Sequence, residues 1–297
     1  MTAIQTPARK VLVGLIGSGI QRSLTPAMHE EEARHHGLRL HYQLIDLDAT
    51  GSGVEMLPTL IQAVRTMGFA GLNITYPCKQ AVIPLLDDLS EEARAMGAVN
   101  TIVCHDGRLV GHNTDGSGWS WGFSRTLPQA DLDRVVLLGA GGAGSAIAHA
   151  VLRLGAAHLA IVDSDGPRAA ALADSLNALY GAGRVSSSTD SASALAHASG
   201  LIHATPTGMD KLPGLPLPEA LLRPDLWVAE IVYFPLDTTL LKAARARGCA
   251  TVNGGTMAVG QAIGAFELFT GLKADPARVE AHFQRMLGKR DAVAATP

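Results

Sequence analysis

A glycine-rich turn near the middle of the chain constrains the fold more than any other stretch. Val135–Leu138 are four apolar residues, typical of a short buried strand. Gly139, Gly141 and Gly144 follow in the spacing G-x-G-x-x-G, and a helical pattern covers Ser145–Leu154. A strand, a glycine turn and a helix in this order are typical of a dinucleotide-binding unit, in which the helix N-terminus points its N–H groups at phosphates.

The next strand pattern ends in an acidic residue. Leu159–Val162 predicts a second strand, and Asp163 follows at close to the spacing of about 20 residues expected for a carboxylate that binds ribose. The alternative is a tight strand-to-helix turn that binds no ligand. The two flanking strands and Asp163 together favour a dinucleotide site.

Composition limits the classes of partner. A chain of 297 residues is typical of two domains. A net charge of −3 and only 4% aromatic residues argue against nucleic acid or an anionic membrane as partners.

No run approaches about 20 apolar residues, so no transmembrane helix is predicted. The apolar run Val11–Ile16 is interpreted as a first strand rather than an export signal.

The three cysteines, Cys78, Cys104 and Cys249, are far apart and form no C-x-x-C pattern. This usage is typical of a reducing compartment, so we expect a cytoplasmic protein with no structural disulfide. The same absence of clustered thiols predicts no metal site.

Strand and helix patterns alternate along the whole chain, which predicts an α/β fold. Between residues 11 and 74 they give β-α-β-α-β, hence a parallel sheet. Residues 1–10 are predicted to be a disordered leader. The other predicted strands are 99–103, 108–110, 134–138, 158–162, 184–186, 200–203 and 227–231. The principal predicted helices are 26–37, 56–67, 79–86, 257–270 and 276–287.

Two domains follow from this organisation. One covers residues 1–114 plus 256–297 and contains a mainly parallel sheet, because the two C-terminal helices are expected to return to the first domain. The other, residues 115–255, is a Rossmann-type dinucleotide-binding domain.

Two stretches in the first domain carry side chains suited to chemistry. Ser23 and Thr25 place hydroxyls at the mouth of a helix, where they can bind a carboxylate. Alternatively, Thr25 only caps the helix and Ser23 is solvated. Lys79 follows the end of a parallel strand, where open α/β sheets bind ligands. It is suited to acid–base work, although it is otherwise an ordinary surface lysine at a helix start.

Two further stretches are weaker signals by themselves. Asn100 and Asn113 each begin an Asn-Thr pair beside one predicted hairpin, and Asp115 follows the second pair. Asp115 is either a functional acid or an N-cap residue. Gln261 lies one turn into the helix after Gly254, where it is either a ligand group or an exposed polar residue.

In this order, the motifs resemble the shikimate/quinate dehydrogenase family, and most closely its NAD-dependent quinate/shikimate dehydrogenases. The resemblance runs from about residue 14 to 287. The matching motifs are Ser23-x-Thr25-Pro26, Asn73-x-Thr75-x-Pro77-x-Lys79, Ala98-Val99-Asn100-Thr101, Asn113-Thr114-Asp115, Gly139-Ala140-Gly141-Gly142-Ala143-Gly144, Ala204-Thr205-Pro206-x-Gly208-Met209, and Met257 with Gln261-Ala262. The resemblance implies that the first domain binds substrate and that the active site lies in the cleft between the domains.

The resemblance also implies roles for single residues. Lys79 and Asp115 would be the catalytic acid–base pair. The substrate-binding residues would be Ser23, Thr25, Thr75, Asn100, Tyr233 and Gln261. The cofactor-binding residues would be Gly139, Ala140, Gly141, Gly142, Ala143, Gly144, Asp163, Arg168, Thr205, Pro206, Met209, Gly254 and Met257.

The chain departs from the family pattern at two positions. Cys78 stands where the family often has a larger ring residue, and His203 stands where it often has asparagine. Both lie beside residues assigned to the site. His203 is expected to be a packed strand residue rather than a catalyst.

The implied activity is NAD-dependent oxidation of quinate, shikimate or both to 3-dehydroquinate or 3-dehydroshikimate by hydride transfer. NAD is predicted because the carboxylate of Asp163 can accept both adenosine ribose hydroxyls and, with Asp165, would repel a 2′-phosphate. Arg168 is expected to pack over the adenine or to face solvent. Shikimate-specific members of the family commonly have Ser-x-Ser where this chain has Ser23-x-Thr25. The resemblance therefore implies a preference for quinate, with the Thr25 methyl group restricting the rotamer of the hydroxyl.

Two alternatives stay open. One is an NADP-dependent biosynthetic shikimate dehydrogenase. The other is a sensor that binds nucleotides or cyclohexane acids without turnover, which would not need Lys79 together with Asp115. In each case the protein is expected to be a monomer or a homodimer.

Overall fold

The computed structural model describes residues 9–294, with side chains up to residue 288. Most of the predicted leader, residues 1–8, lies outside the described residues, and Lys10 already begins the first strand. The chain forms two compact units. One contains the residues up to Thr114 and those from Ala262 onward, and the other is Asp115–Gln261. The second boundary lies six residues after the sequence-based one at 255/256.

The first unit is an α/β structure around one sheet. Its strands are β1 (Lys10–Gly17), β2 (Arg39–Asp46), β3 (Gly71–Ile74), β4 (Asp88–Leu89), β5 (Thr101–His105) and β6 (Arg108–His112). Its helices are α1 (Thr25–His35), α2 (Leu47–Thr50), α3 (Leu57–Met67), α4 (Cys78–Ala81) and α5 (Glu91–Met96), with 3₁₀ turns at Val54–Met56 and Ile83–Leu85. The described strands lie in the order β2-β1-β3-β5-β6-β4.

Pairing in this sheet confirms the predicted β-α-β-α-β run. Strand β1 pairs in parallel with β2 and β3, and β5 then runs antiparallel to β3. A tight turn joins β5 to β6, in which Asp106 (φ 49°) and Gly107 (φ 75°) both adopt left-handed backbone. This is the geometry that a two-residue hairpin loop favours, because it matches the twist of the strands.

The second unit is a parallel sheet with helices on both faces. It begins with α6 (Asp115–Thr126), and its strands are β7 (Arg134–Leu138), β8 (His158–Val162), β9 (Val185–Ser188), β10 (Gly200–His203), β11 (Trp227–Glu230) and β12 (Thr251–Val252). Its other helices are α7 (Gly142–Arg153), α8 (Gly166–Tyr180), α9 (Ser191–Leu195) and α10 (Thr239–Ala246), with a 3₁₀ turn at Glu219–Leu221. Helix α11 (Gly254–Thr270) begins in this unit, whereas its residues from Ala262 onward and α12 (Pro276–Ala294) belong to the first unit.

Strand order in the second unit is that of a doubly wound sheet. The described strands lie in the order β12-β11-β10-β7-β8-β9, and all paired strands are parallel. The order reverses at β7, so β8 and β10 flank the strand that leads into the glycine turn. Sheets of this kind bind ligands at such a switch point, beyond the carboxyl ends of the strands. The predicted Rossmann-type α/β fold is therefore confirmed.

The core explains why β7 is apolar at successive positions. Val135 and Leu137 pack on one face of the sheet, in a cluster that includes Ile147. Val136 and Leu138 pack on the other face, in a cluster that includes Leu241. A strand of a parallel sheet that is covered by helices on both sides needs apolar residues on both faces.

Two local predictions were wrong, and the short strand β12 was not predicted. Thr25 is the first residue of α1 rather than its N-cap; the cap position is Leu24, and the Ser23 hydroxyl accepts the Thr25 N–H at 3.3 Å. The single helix predicted over 79–86 is broken into α4 and a 3₁₀ turn that contains Pro84, because proline cannot donate to a continuing helix. The two-residue strand β12 is too short to leave a periodic pattern in the sequence.

Within the described residues, no helix is both long enough and apolar enough to cross a membrane.

A buried histidine marks the core of the first unit. His29 on α1 is 1% exposed, and its ring lies 5.1 Å from that of Tyr42 and 5.8 Å from that of Phe269, centroid to centroid. Neither ring nitrogen has a hydrogen-bond partner in the part of the chain that the structure describes. Burial lowers the pKa of His29 from 6.5 to about 3, since a charged ring has no compensation there.

We therefore predict acid destabilisation through His29. Between pH 6.5 and pH 3 the unfolded chain binds a proton that the folded chain excludes, so stability is complete above pH 6.5 and falls as the pH is lowered. From pH 7.5 to pH 5 the loss is about 2 kcal/mol in free energy of unfolding. Urea unfolding at several pH values measures it.

The matched variants are His29→Leu and, at an exposed position, His105→Leu. Between pH 7.5 and pH 5, the free energy of unfolding of His29→Leu should fall by about 2 kcal/mol less than that of the parent. That of His105→Leu should fall by as much as that of the parent. Equal pH dependence in the two variants would show that His29 is not the group responsible.

Candidate active site

The glycine turn between β7 and α7 contains two kinds of glycine. Gly139 has φ +100°, and a Cβ there would lie 2.8 Å from the Ala204 carbonyl oxygen. A Cβ on Gly144 would collide with the carbonyl oxygen of Gly139. The chain's own packing therefore requires glycine at these two positions.

Gly141 and Gly142 are not required by the same packing. No heavy atom of the described residues lies within 4 Å of a Cβ built at either position, and Gly141 has an ordinary φ of −76°. Gly141 is the N-cap of α7, and no described side chain caps this end of the helix. The N-terminus of a twelve-residue helix thus faces open space, in which its N–H groups can receive an anion.

Asp163 ties the glycine turn to the end of β8. Its carboxylate accepts the N–H of Ala140 at 2.7 Å and that of Asp165 at 2.9 Å, and the Arg168 guanidinium donates to it at 2.7 Å. Burial of Asp163 disfavours the charged form, but these hydrogen bonds outweigh it and lower its pKa to about 2. The partners of Arg168 are acidic side chains, Asp163 and, at 3.9 Å, Asp165.

The loop after β10 lies against the same turn. The Ala204 N–H donates to the Leu138 carbonyl oxygen at 2.8 Å, and Thr205 follows with its hydroxyl 2.5 Å from His203 Nε2. Thr205 is half-buried, while Pro206 and Met209 are exposed. Two of the three residues assigned to the cofactor in this loop therefore present surface to solvent.

The remaining cofactor and substrate candidates of the second unit differ in exposure. Met257 is 7% exposed and belongs to the apolar core, and a Cβ on Gly254 would collide with the carbonyl oxygens of Ile231 and Val232. Packing alone explains these two residues, and their contacts with a cofactor stay predictions. Tyr233 is 37% exposed, with its ring centroid 4.4 Å from that of Phe234.

Asp115 and Gln261 meet at the crossing of α6 and α11. Asp115 is 2% exposed at the first position of α6, and the Gln261 amide donates to its carboxylate. The backbones of the two helices approach closely here. A Cβ on Gly118 would lie 2.6 Å from the backbone nitrogen of Gln261, and a Cβ on Gly260 would lie 2.8 Å from the Cα of Gly118. Two glycines thus permit the contact that holds a buried carboxylate.

In the first unit, the candidate residues gather at the carboxyl ends of β1 and β3. Thr75 directly follows β3, and its N–H donates to the Ile16 carbonyl oxygen of β1 at 3.0 Å. The Lys79 carbonyl oxygen accepts the Val99 N–H at 2.9 Å, which holds α4 against the segment before β5. Ser23 lies in the loop that leaves β1.

Asn100 is locked in one orientation. It is 6% exposed; its amide nitrogen donates to the Thr114 hydroxyl at 3.1 Å, and its amide oxygen accepts the Thr114 N–H at 2.8 Å. The Thr101 hydroxyl also donates to that oxygen, at 2.9 Å. The packing fixes which end of the Asn100 amide is a donor and which is an acceptor.

Sequence reasoning missed two residues that support the site. Thr114, which orients Asn100, was noticed only as part of a motif. Glu230, which is fully buried beside His203, was not singled out. An acid at the end of the otherwise apolar strand Trp227–Glu230 is the signal that could have identified it.

Comparison with known proteins agrees with this architecture. The family model of the shikimate dehydrogenase substrate binding domain matches residues 15–102. The chain is 57% identical to the shikimate dehydrogenase (NADP(+)) of Streptomyces avermitilis, over 93% of this chain and 96% of that protein. It is 46% identical to the quinate/shikimate dehydrogenase (NAD(+)) of Corynebacterium glutamicum, over 92% of this chain and 98% of that protein.

The chain belongs to the shikimate dehydrogenase family. A solved structure, quinate dehydrogenase from Corynebacterium glutamicum in complex with NAD, superposes with a TM-score of 0.88 at 46% identity, over 93% of this chain and 99% of that one. The chain is accordingly an oxidoreductase that acts on a CH–OH group with a nicotinamide dinucleotide. These relatives carry different cofactor names, so family membership leaves the choice between NAD and NADP open.

The helix crossing gives a testable consequence. Gly118→Ala should lower the free energy of unfolding by about 2 kcal/mol, because its methyl group forces α6 and α11 apart. The same exchange at Gly288, whose Cβ would meet no described atom within 4 Å, should be neutral or stabilising by up to about 1 kcal/mol. Urea unfolding of the two variants decides; a Gly118→Ala protein as stable as Gly288→Ala would contradict the close crossing.

Proposed function

We propose that the protein oxidises quinate and shikimate with NAD, by hydride transfer from the ring carbon that bears the reacting hydroxyl. The observation that carries the proposal is the buried Asp115 carboxylate, which the Gln261 amide holds at the start of α6. A buried carboxylate opposes folding unless it is well bonded. A protein that only bound its ligands would not need this acid together with Lys79.

The cofactor site is proposed at the glycine turn. The uncapped start of α7 and the open space at Gly141 and Gly142 fit a pyrophosphate, whose charge the N–H groups would receive. The loop with Thr205 and Pro206 and the exposed Met209 would hold the nicotinamide end, with Gly254 and Met257 near it. When bound, the nicotinamide ring supplies the acceptor for the hydride.

Most of the proposed substrate-binding residues lie in the first unit. The match of residues 15–102 to a substrate binding domain supports this assignment. The hydroxyls of Ser23 and Thr25, beside the start of α1, would receive the substrate carboxylate. Asn100 and Gln261 would hydrogen-bond ring hydroxyls, and Thr75 and Tyr233 would line the site. The fixed amide of Asn100 would select the orientation of the ring.

Lys79 and Asp115 are proposed to take the proton that leaves the reacting hydroxyl. Lys79 is half-buried on α4 and Asp115 is buried on α6. Both would hydrogen-bond to the one reacting oxygen. Their task is to hold the hydroxyl in place and to remove its proton as the carbon gives up hydride.

NAD is proposed over NADP from the charges beside β8. Asp163 and Asp165 carry two negative charges there, and the positive charge of Arg168 is already directed to both. A 2′-phosphate would meet a net negative site. The alternative, an NADP-dependent biosynthetic shikimate dehydrogenase, is supported by the 57% identical relative and by the exposed guanidinium of Arg168.

The proton step predicts the effect of two variants. Lys79→Met and Asp115→Asn should each lower kcat for quinate oxidation by about 100-fold or more, because each removes a group of the acid–base pair. NADH binding, measured by fluorescence, should change little. The matched control is Lys273→Met. Lys273 is exposed and pairs with Glu267, so this variant should keep normal turnover.

Normal turnover in either site variant would overturn the catalytic assignment. A wild-type protein that binds NADH but oxidises neither acid would instead support the sensor.

The negative charges of Asp163 and Asp165 predict that kcat/KM is at least about 10-fold higher with NAD than with NADP. This ratio corresponds to a difference of about 1.4 kcal/mol in transition-state free energy. Asp163→Asn keeps an oxygen for the Ala140 N–H but removes one charge and releases Arg168, so the preference should shift toward NADP. Asp174→Asn makes the same charge change at an exposed position of α8 and should leave the preference unaltered. Equal efficiency with both cofactors in the parent would refute the argument.

A further inference from the structure

Two fully buried ionisable side chains lie side by side below the proposed cofactor loop. His203 ends β10 and Glu230 ends β11, and the two residues are register partners in the sheet. Both side chains are 0% exposed, and His203 Nδ1 lies 2.9 Å from Glu230 Oε1. The proposed oxidation makes no use of either group, yet burying them requires compensation.

Glu230 receives donors from four directions. Its Oε1 accepts the N–H groups of Ile231 at 2.9 Å and Val232 at 3.0 Å, and its Oε2 accepts the Thr238 hydroxyl at 3.0 Å. The fourth donor is Nδ1 of His203. Because the carboxylate only accepts, the proton of this bond belongs to Nδ1, and the imidazole is fixed in one orientation.

The other ring nitrogen points at the loop that follows β10. His203 Nε2 lies 2.5 Å from the Thr205 hydroxyl oxygen. That oxygen accepts the Thr207 N–H at 3.3 Å. The preceding residue, Ala204, is the one whose carbonyl oxygen packs against Gly139 of the glycine turn. A series of hydrogen bonds, from Glu230 through His203 to Thr205, therefore links the core of the sheet to the rim of the proposed dinucleotide site.

We propose that His203, held by Glu230, is a positioning residue for Thr205. It holds the Thr205 hydroxyl in one rotamer beside the glycine turn, where the proposed function places the dinucleotide. A threonine hydroxyl without this bond would sample several rotamers and would have to be ordered on binding, which weakens affinity. The inference rests on the proposed function, in which Thr205 contacts the cofactor.

The test is the dissociation constant of NADH, measured by fluorescence, with the melting temperature of each variant beside it. His203→Leu keeps the volume and leaves Glu230 three of its donors, and it should weaken NADH binding about 5-fold. His203→Gln places an amide near the position of Nε2 and should restore binding to within about 2-fold of the parent.

A double-mutant cycle separates positioning from general loss of stability. Thr205→Val alone should weaken binding about as much as His203→Leu, and the double variant should bind no more weakly than Thr205→Val. The matched control is Thr238→Val, which removes another donor to Glu230 without touching Thr205. It should lower the melting temperature and leave the dissociation constant unchanged.

The inference would be overturned if the dissociation constant of NADH in the double variant rose by the product of the two single effects. It would also be overturned if His203→Leu left the dissociation constant unchanged. If His203→Leu does not fold, the parent protein decides: the His203 Nε2 resonance in ¹⁵N NMR should shift on addition of NADH, and an unchanged resonance would contradict the role. A parent that binds neither NADH nor NADPH defeats the proposed function as well, whereas normal parental binding with unaffected variants defeats only this inference.

Discussion

The uncapped N-terminus of α7 is the feature on which the proposed cofactor site depends. Its N–H groups face open space only because Gly139 turns the chain sharply after β7 and Gly144 lets the helix lie on that turn. Asp163 then fixes the turn through the Ala140 N–H. The sheet order places this end of β7 between β8 and β10, so side chains from both neighbouring strands converge on it.

The first unit provides an equivalent set of fixed polar groups by different means. Its candidate residues follow the parallel strands β1 and β3, and Asn100 precedes the antiparallel β5. Short hydrogen bonds hold Asn100 to Thr114, immediately before Asp115 begins α6. The protein thus fixes Asn100 by hydrogen bonds to Thr101 and Thr114, and its buried acid by a glycine-mediated helix crossing.

The sequence contained the parts of the fold that depend on short-range pattern. Runs such as Val135–Leu138 and the glycine spacing after it predict the strand, the turn and the helix, because both faces of that strand are buried. The exact start of α1 was not predictable in the same way. Either Leu24 or Thr25 could be the N-cap of the helix that contains Pro26. In the structure Leu24 holds that position, and the Ser23 hydroxyl accepts the Thr25 N–H.

Contacts between distant residues could not be predicted without the fold. Gln261 donates to Asp115 across 146 positions, and His203 meets Glu230 only because β10 and β11 are neighbours. For the same reason the sequence assigned Asp163 to the ribose and Arg168 to the adenine or solvent, without indicating that they bind each other. Tertiary geometry, rather than residue type, decides which polar groups compensate one another.

The central claim is that a hydride leaves the substrate carbon that bears the reacting hydroxyl. The most direct measurement uses quinate deuterated at that carbon, with NAD, and locates the label by mass spectrometry and proton NMR. Deuterium is expected on the nicotinamide ring in one-to-one ratio with the ketone formed. Ketone formation with the deuterium lost to water, or no reaction with quinate or with shikimate labelled in the same way, would contradict it.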